Sequence, residues 1–302
     1  MPVVAIINPI SGAGSNPSVR SERVSLVRAE AERRGLRAEI HLTEHAGHAR
    51  ELAVASAAAG ATLVIAWGGD GTLNEIGSAL LDTGTTLGVV PAGSGNGLAA
   101  ALAVPRAPSA ALKVAFDGQT RAIDAGVIAG RPFFNIAGIG FDAHVARLFN
   151  ARGGGRRGGW PYVMIGIREG CRYTGRDYRL ELDGEHRDLR ALLIAFANGR
   201  EYGNGARIAP HAALDDGWLD AVVVAERAVV ARFWHARHLA LGTAHLAPDV
   251  TVRRITRALV QTPGEIDFHV DGEPCVARDR VAVSIRPGAL RVRVPQAVSA
   301  SE

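Results

Sequence analysis

Lysine, cysteine and long apolar runs are scarce in this sequence, and their scarcity bears on its source of positive charge, on metal sites and on membrane spans. Only Lys113 among the 34 Lys and Arg residues is a lysine, so arginine carries nearly all of the positive charge. The two cysteines, Cys171 and Cys275, lack the spacing of a metal site, which favours two buried reduced thiols over one disulfide. The longest apolar run, residues 52–67, is interrupted by Gly60 and is too short to span a bilayer.

Other signals that would change the class of protein are also missing. No His or Cys cluster has zinc spacing, and no Gly-x-Ser-x-Gly elbow indicates a hydrolase. Residues 1–7 lack the basic start of a secretion signal and favour a first strand, so we expect a cytoplasmic protein that associates with membranes only transiently. The net charge of +4 favours anionic partners, but no groove-reading motif or aromatic platform indicates nucleic acid.

Strand and helix patterns alternate through the first part of the chain. The expected strands and helices follow one another at residues 3–8, 16–34, 38–42, 46–59, 62–67, 74–81 and 86–90. Asn16 and Pro17 have the order of an N-cap followed by proline at the first helical position. Such alternation indicates right-handed βαβ units around a parallel sheet. We therefore predict a Rossmann-like α/β nucleotide-binding domain over residues 1–125.

From about residue 126 the pattern changes to short strands ended by Gly, Pro, Asn or Asp. These expected strands lie at residues 178–183, 190–197, 219–225, 250–259, 265–270, 281–285 and 290–294. With a helix at 229–241, they predict a mostly antiparallel β-sandwich domain over residues 126–302. The Arg-Gly stretch 152–159, followed by Trp160, fits either a membrane-docking loop or a solvated linker.

The turn Gly68-Gly69-Asp70-Gly71-Thr72 joins a buried strand to a helix and carries the strongest chemical signal. Glycines let the backbone approach a phosphate, and a helix N-terminus adds N–H groups and a favourable dipole. The Asp70 carboxylate can bind Mg²⁺ or accept a proton from a hydroxyl group. Thr72 and Glu75 have capping-box spacing. On local sequence alone, the stretch also fits a tight turn whose Asp merely caps the helix.

Two further glycine-containing turns follow strands, at residues 8–12 and 91–96. Because ligands of parallel sheets bind at the carboxyl ends of strands, three such turns are expected to meet at one edge. Their joint occurrence predicts one shared nucleotide site.

Seven stretches resemble the diacylglycerol kinase and sphingosine kinase family of lipid kinases, bacterial members included. They occur in the family's order at residues 8–12, 43–49, 68–75, 91–96, 138–143, 214–217 and 270–273. The resemblance implies ATP in a cleft between an α/β domain and a β-rich domain that binds the lipid. It places Asn8, Ser11, Gly12 and Thr43 at the nucleotide, together with the residues around its phosphates: Gly68, Gly69, Asp70, Gly71, Thr72, Leu73, Asn74, Ser94 and Gly95.

The resemblance also implies the catalytic roles. Glu273 occupies the position at which the family has its proton acceptor, and Asp70 would hold the catalytic Mg²⁺ and orient the hydroxyl. A second, structural Mg²⁺ would bind Asp216 with backbone oxygens of Ala213 and Trp218, a hard oxygen set suited to this cation. Without the family, Asp-Gly-Glu also fits an ordinary surface hairpin. Asp124 and Asp142 either join the carboxylates or cap a helix or strand end.

One departure from the family concerns charge. Many relatives carry a cation soon after the first Ser-Gly, whereas here Arg20 is the first, so Arg20, Arg50, Mg²⁺ or backbone N–H groups must offset the phosphates. The acceptor stays open between diacylglycerol-like and sphingoid-like lipids at a membrane surface, and so does the oligomeric state, a homodimer included. NAD kinase, which shares Gly-Gly-Asp-Gly, and a non-catalytic nucleotide- or lipid-binding protein are the competing interpretations.

Overall fold

The chain folds into two compact units. The computed structural model describes residues 2–12, 16–151, 173–202, 207–226 and 249–296. The first unit comprises Met1–Ile123 with Gly288–Glu302, and the second comprises Asp124–Pro287. This division differs from the expected 1–125 and 126–302 because the C-terminal residues return to the first unit.

The first unit alternates strands with helices. In chain order its elements are β1 (Val3–Ile7), α1 (Pro17–Glu32), β2 (Ala38–Leu42), α2 (His48–Ala58), β3 (Leu63–Gly68), α3 (Asp70–Leu80), β4 (Thr86–Pro91), α4 (Gly97–Ala101) and α5 (Pro108–Asp117). β1, β3 and β4 are buried along their whole lengths, which matches their runs of apolar and β-branched residues.

The strands of the first unit pair in parallel. β1 lies between β2 and β3, and β3 pairs with β4. On its other side β4 pairs with Arg291 and Val292, from the last strand that the structure describes. Parallel strands expose their carboxyl ends at one edge, so the turns after β1, β3 and β4 start side by side.

Two expected helix starts have different outcomes. The N-cap predicted at Asn16 is confirmed, since its side chain accepts a hydrogen bond from the Ser18 N–H at 3.1 Å. The capping box predicted for Thr72 and Glu75 is wrong, because α3 already begins at Asp70 with Gly69 as its N-cap. Both side chains instead bind other segments, which draws the helix start toward the neighbouring turns.

The remaining elements are mostly strands. They are β5 (Gln119–Ile128), β6 (Arg131–Phe133), β7 (Ile136–Gly140), α6 (Phe141–Ala151), β8 (Arg176–Leu182), β9 (Glu185–Ala197), β10 (Leu219–Ala225), β11 (Val250–Ile255), β12 (Arg257–Val270) and β13 (Glu273–Val294). Within the second unit the pairs are antiparallel: β9 joins β7, β8 and β10, and β12 joins β7, β8 and β13. Phe133, Phe196 and Phe268 are fully buried in the core.

Several expectations fall outside the described residues. These are the helix at 229–241, the Arg-Gly stretch 152–159 with Trp160, and Cys171. Cys275 is a half-buried free thiol, and burial raises its pKa. Within the described ranges, none of the helices combines the length and apolar character that crossing a membrane requires.

Candidate functional site

The turn after β1 is tied to the helix after β3. The Asn8 side chain donates from Nδ2 to the hydroxyl of Thr72, a buried residue in the first turn of α3, at 3.0 Å. Its Oδ1 accepts the Ile10 N–H at 3.1 Å and thereby shapes its own turn. Asn8 and Thr72, both predicted nucleotide residues, therefore lie together at the carboxyl edge of the sheet.

The turns after β3 and β4 are in backbone contact. A Cβ added to Gly93 would lie 2.7 Å from the Cα of Gly69, and one added to Gly69 would lie 3.2 Å from the Cα of Gly93. The Ala92 N–H donates to the Gly68 carbonyl at 2.8 Å. A side chain at position 93 would collide with the backbone of Gly69, and one at position 69 would be tightly packed, so this approach accounts for glycine at both positions.

Asp70 is oriented by the β4 turn. Its Oδ2 accepts the Asn96 N–H at 2.8 Å, and Asn96 is buried in a left-handed conformation at φ +56°. The Asn96 side chain bonds the N–H and the carbonyl of Gly93, each at 2.7 Å. Gly95 adjoins the same carboxylate, since a Cβ there would lie 3.0 Å from Oδ2. The Pro91–Asn96 stretch thus positions the Asp70 carboxylate.

Gly12 brings the first turn to the third. Its φ of +79° and a Cβ position only 2.7 Å from the Ala92 carbonyl oxygen leave room for glycine alone. The three turns expected to converge therefore meet in the structure.

Arg23, on α1, is the residue that sequence reasoning missed. Its guanidinium donates to the backbone oxygens of Asn8 and Ser11, each at 2.7 Å, and to the Ser11 hydroxyl at 3.1 Å. It is 7% exposed and lies over the Trp67 ring, and burial lowers its pKa. A signal existed, because Arg23 precedes buried Val27 by four residues on the apolar face of the helix.

The remaining predicted nucleotide residues occupy varied positions. Thr43 is half-buried after β2, and its N–H donates to the Ile7 carbonyl at 3.0 Å. Leu73 is buried, so its side chain serves the core rather than the edge. Asn74 is half-buried and Ser94 is exposed. Gly71 is half-buried in the first turn of α3.

Glu75 links this edge to α2. Its Oε1 accepts the N–H of Gly47, the residue before that helix, at 3.1 Å. The resembling stretch 43–49 is therefore fastened to the helix that carries Asp70.

Glu273, in the second unit, follows a two-residue hairpin turn. Val270 pairs with Glu273, and the residues between them, Asp271 and Gly272, have φ of +47° and +89°. Positive φ at both central residues is the signature of a type I′ turn, for which Asp-Gly is a preferred pair. Glu273 is exposed at the start of β13. The Asp271 carboxylate also accepts the N–H groups of residues 134–136, at 2.9 to 3.1 Å.

The loop predicted to hold a structural Mg²⁺ contains an ion pair. Asp216 accepts the Trp218 N–H at 3.0 Å and the Arg254 guanidinium at 2.5 Å, and Arg254 also stacks on the Trp218 ring. Ala213 precedes it in the same loop. Asp124 binds this loop by accepting the Gly217 N–H at 2.7 Å. In the described ranges no cluster of three His, Cys, Asp or Glu side chains has the arrangement of a metal site.

Two known domain families match this chain, one in its N-terminal part and one in its C-terminal part. The diacylglycerol kinase catalytic domain matches residues 2–128, and the YegS C-terminal NAD kinase beta sandwich-like domain matches residues 135–294. The chain therefore belongs to the diacylglycerol kinase family of enzymes, with the C-terminal domain of its YegS branch. The resemblance and the two-domain architecture are confirmed.

Individual proteins agree with this assignment. A Pseudomonas fluorescens protein named "Probable lipid kinase YegS-like" is 34% identical over 276 residues, which cover 89% of this chain and 91% of that protein. A solved diacylglycerol kinase from Bacillus anthracis superposes with a TM-score of 0.71 over 98% of both chains, at 18% identity. An NAD kinase from Archaeoglobus fulgidus, solved with ATP, covers 97% of this chain and 94% of its own at a TM-score of 0.53 and 11% identity. Both solved structures are similar to this chain in fold.

Proposed function

We propose that the protein is an ATP-dependent lipid kinase that phosphorylates a hydroxyl group of a diacylglycerol-like or sphingoid-like lipid. The carrying observation is the meeting of three glycine-containing turns at the ends of β1, β3 and β4, beside the Asp70 carboxylate. Family membership supplies the class of reaction, and this geometry supports the nucleotide site.

The edge suits a phosphate chain because backbone is accessible there. Gly69 and Gly93 present no side chains, and the N-cap of α3 makes no side-chain cap bond to the helix start. Helix N-terminal N–H groups bind anions through their hydrogens and the helix dipole. In this proposal Asn8, Ser11, Gly12 and Thr43 contact ATP, and residues 68–74 with Ser94 and Gly95 surround its phosphates.

Asp70 fits the chemistry of a catalytic Mg²⁺ ligand. It is a half-buried carboxylate whose Oδ2 is oriented by a backbone N–H, and Mg²⁺ prefers oxygen ligands. An Mg²⁺ ion held by Asp70 would supply positive charge that offsets the charge developing on the transferring phosphoryl group. The loop at Asp216 fits less directly, because Arg254 already engages that carboxylate and must release it before Ala213, Asp216 and Trp218 can hold a second Mg²⁺.

The proposed reaction assigns one proton transfer to Glu273. Its carboxylate accepts the proton of the lipid hydroxyl as the hydroxyl oxygen bonds to the γ-phosphorus of ATP. The bond from that phosphorus to the bridging oxygen breaks, and ADP leaves with the electron pair. A well-placed base contributes about 10²- to 10⁴-fold in rate, and positioning and charge supply most of the rest.

Arg20 and Arg50 are the proposed cations at the phosphates, since both are exposed in this unit, on α1 and α2. Arg23 is excluded from that role, because its guanidinium serves the turn at Asn8 and Ser11. The lipid acceptor implies peripheral contact with a membrane surface.

Transfer of labelled γ-phosphate tests the proposal. Diacylglycerols, sphingoid bases, ceramide and NAD are offered separately with Mg²⁺-ATP. We expect label in a lipid, dependence on Mg²⁺, and a loss of at least about 10²-fold in Asp70→Asn. Label in NAD alone would instead identify an NAD kinase. ATP binding without transfer to any acceptor would favour a non-catalytic binding protein.

A further inference from the structure

A buried histidine–aspartate pair lies behind the turn that carries Glu273. His269 on β12 is 2% exposed and Asp142 at the start of α6 is 7% exposed, and their Nε2 and Oδ2 atoms are 3.0 Å apart. This pair belongs to the second unit and takes no part in the reaction described above. His269 precedes Glu273 by four residues and pairs with Pro274 in the β12–β13 ladder.

The hydrogen bonds define the tautomer of His269. The N–H of Gly272 donates to Nδ1 at 3.3 Å, so Nδ1 carries no proton in this arrangement. Nε2 is then the protonated nitrogen and donates to Asp142. The same carboxylate accepts the Tyr202 hydroxyl at 3.1 Å through Oδ2 and the Ala143 N–H at 2.8 Å through Oδ1. A continuous chain therefore runs from Asp142 through His269 to the Gly272 backbone.

Gly138 makes room for this pair. It stands opposite His269 in the β7–β12 ladder, and any Cβ there would overlap the Asp142 carboxylate. Within the stretch 138–142, Gly138 has no side chain, and the space this leaves is occupied by the carboxylate of Asp142.

The hairpin turn itself does not require these contacts. An Asp271-Gly272 turn of type I′ closes through its own backbone preferences. Burying a histidine and a carboxylate has a desolvation penalty that apolar residues would avoid. A role in orienting the turn would account for this penalty, because the turn residue Gly272, which bonds His269, directly precedes Glu273.

We propose that His269, held by Asp142, is a positioning residue that fixes the Gly272 backbone and so aims the Glu273 side chain at the acceptor hydroxyl. This inference rests on the proposed function, in which Glu273 is the proton acceptor. It adds a role for three residues of the second unit: Gly138, Asp142 and His269.

Kinetics of His269→Phe test the role, because phenylalanine keeps an aromatic side chain at this position and removes both hydrogen bonds. We expect kcat to fall by about 10- to 100-fold, since misplacement of a reacting group by about 1 Å has effects of that size. KM for ATP should stay within about twofold, because the nucleotide residues of the first unit are untouched. His269→Gln retains a donor and an acceptor and should recover part of kcat.

Phe268→Leu is the matched control for lost packing. Phe268 is the buried neighbour of His269 on β12 and bonds to neither the turn nor Asp142. We expect it to lower Tm while leaving kcat within about twofold. If His269→Phe keeps the wild-type kcat, or if Phe268→Leu reduces kcat equally, the positioning role is wrong.

Hydrogen exchange decides the inference independently of activity. The Gly272 amide should exchange about tenfold or more faster in His269→Phe than in the wild-type protein, because its acceptor is gone. Unchanged exchange in the peptide containing residues 270–275 would overturn the inference. A wild-type enzyme that phosphorylates no lipid would contradict the proposed function, while the exchange result would still decide whether His269 holds this turn.

Discussion

Arg23 shows how one side chain can organise a turn of the proposed nucleotide site. Its planar fork reaches two carbonyl oxygens and one hydroxyl of the Asn8–Ser11 turn, a geometry that a lysine ammonium cannot reproduce. Each charged hydrogen bond of this kind is worth about 1.5–3 kcal/mol. The turn therefore has its shape before any nucleotide arrives.

We expect Arg23→Lys to weaken ATP binding by about tenfold and to lower the unfolding free energy by roughly 1–3 kcal/mol. The nucleotide affinity can be measured by titration calorimetry and the stability by chemical denaturation. Arg28→Lys, an exposed position on the same helix, is the control and should match the wild type. Wild-type affinity in Arg23→Lys would show that the turn does not depend on the guanidinium.

At the scale of elements, local sequence patterns predicted some features and missed others. Strands β1, β3 and β4 were readable because their apolar, β-branched runs end at Gly, Pro or Asn. The start of α3 was not, since Asp70 and Gly71 are weak helix formers, and long-range bonds from Asn96 to Asp70 and from Asn8 to Thr72 hold this helix start in place. The bond between His269 and Asp142 was also hidden, because no spacing connects residues 127 positions apart.

A charged cluster joins the end of α1 to α5. The Arg34 guanidinium bonds Asp117 Oδ1 and Glu30 Oε2, each at 2.7 Å, and lies over the Phe116 ring. The hydrogen bond from Arg34 lowers the pKa of Asp117. Burial opposes ionisation of Glu30, yet the hydrogen bonds from Arg33 and Arg34 lower its pKa overall.

Acid should remove the stabilisation that this cluster provides. A carboxylate with a lowered folded-state pKa stabilises the fold above its unfolded pKa of about 4 and loses that effect as pH falls through the folded value. We therefore expect Arg34→Gln to lower Tm at pH 7, and its difference in Tm from the wild type to shrink as the pH falls below about 4. Melting curves across this range test it, with Arg28→Gln as control. A difference in Tm that stays constant as the pH falls would point to packing on Phe116 instead.

Two valines on β13 differ in burial, so substituting each of them distinguishes the effect of a buried side chain from the effect of the strand itself. Val292 is fully buried and lies beside β4, whereas Val276 on the same strand is 59% exposed. Val292→Ala should lower the unfolding free energy by roughly 1–3 kcal/mol, and Val276→Ala by less than about 0.5 kcal/mol. Denaturant titration measures both. Equal losses would mean that the strand rather than the buried side chain determines stability there.

At the scale of the whole molecule, the chain leaves the first unit after Ile123 and returns to it at Gly288. Folding of the first unit therefore depends on residues far from it in the sequence. Leu290, Val292 and Val294 are buried there, and Arg291 and Val292 pair with β4. Removing them exposes both an apolar surface and an edge of the parallel sheet.

A chain ending at residue 287 should consequently lose the first unit and keep the second. Three buried aliphatic side chains are worth roughly 5–9 kcal/mol at about 1.5–3 kcal/mol each, which is comparable with the whole stability of a typical domain, about 5–15 kcal/mol. Limited proteolysis with mass spectrometry should leave the described parts of the second unit protected and digest those of the first, and ATP binding should disappear. A chain of residues 1–296 retains all three side chains and is the control. If the shortened chain still binds ATP, the first unit does not need its C-terminal strand.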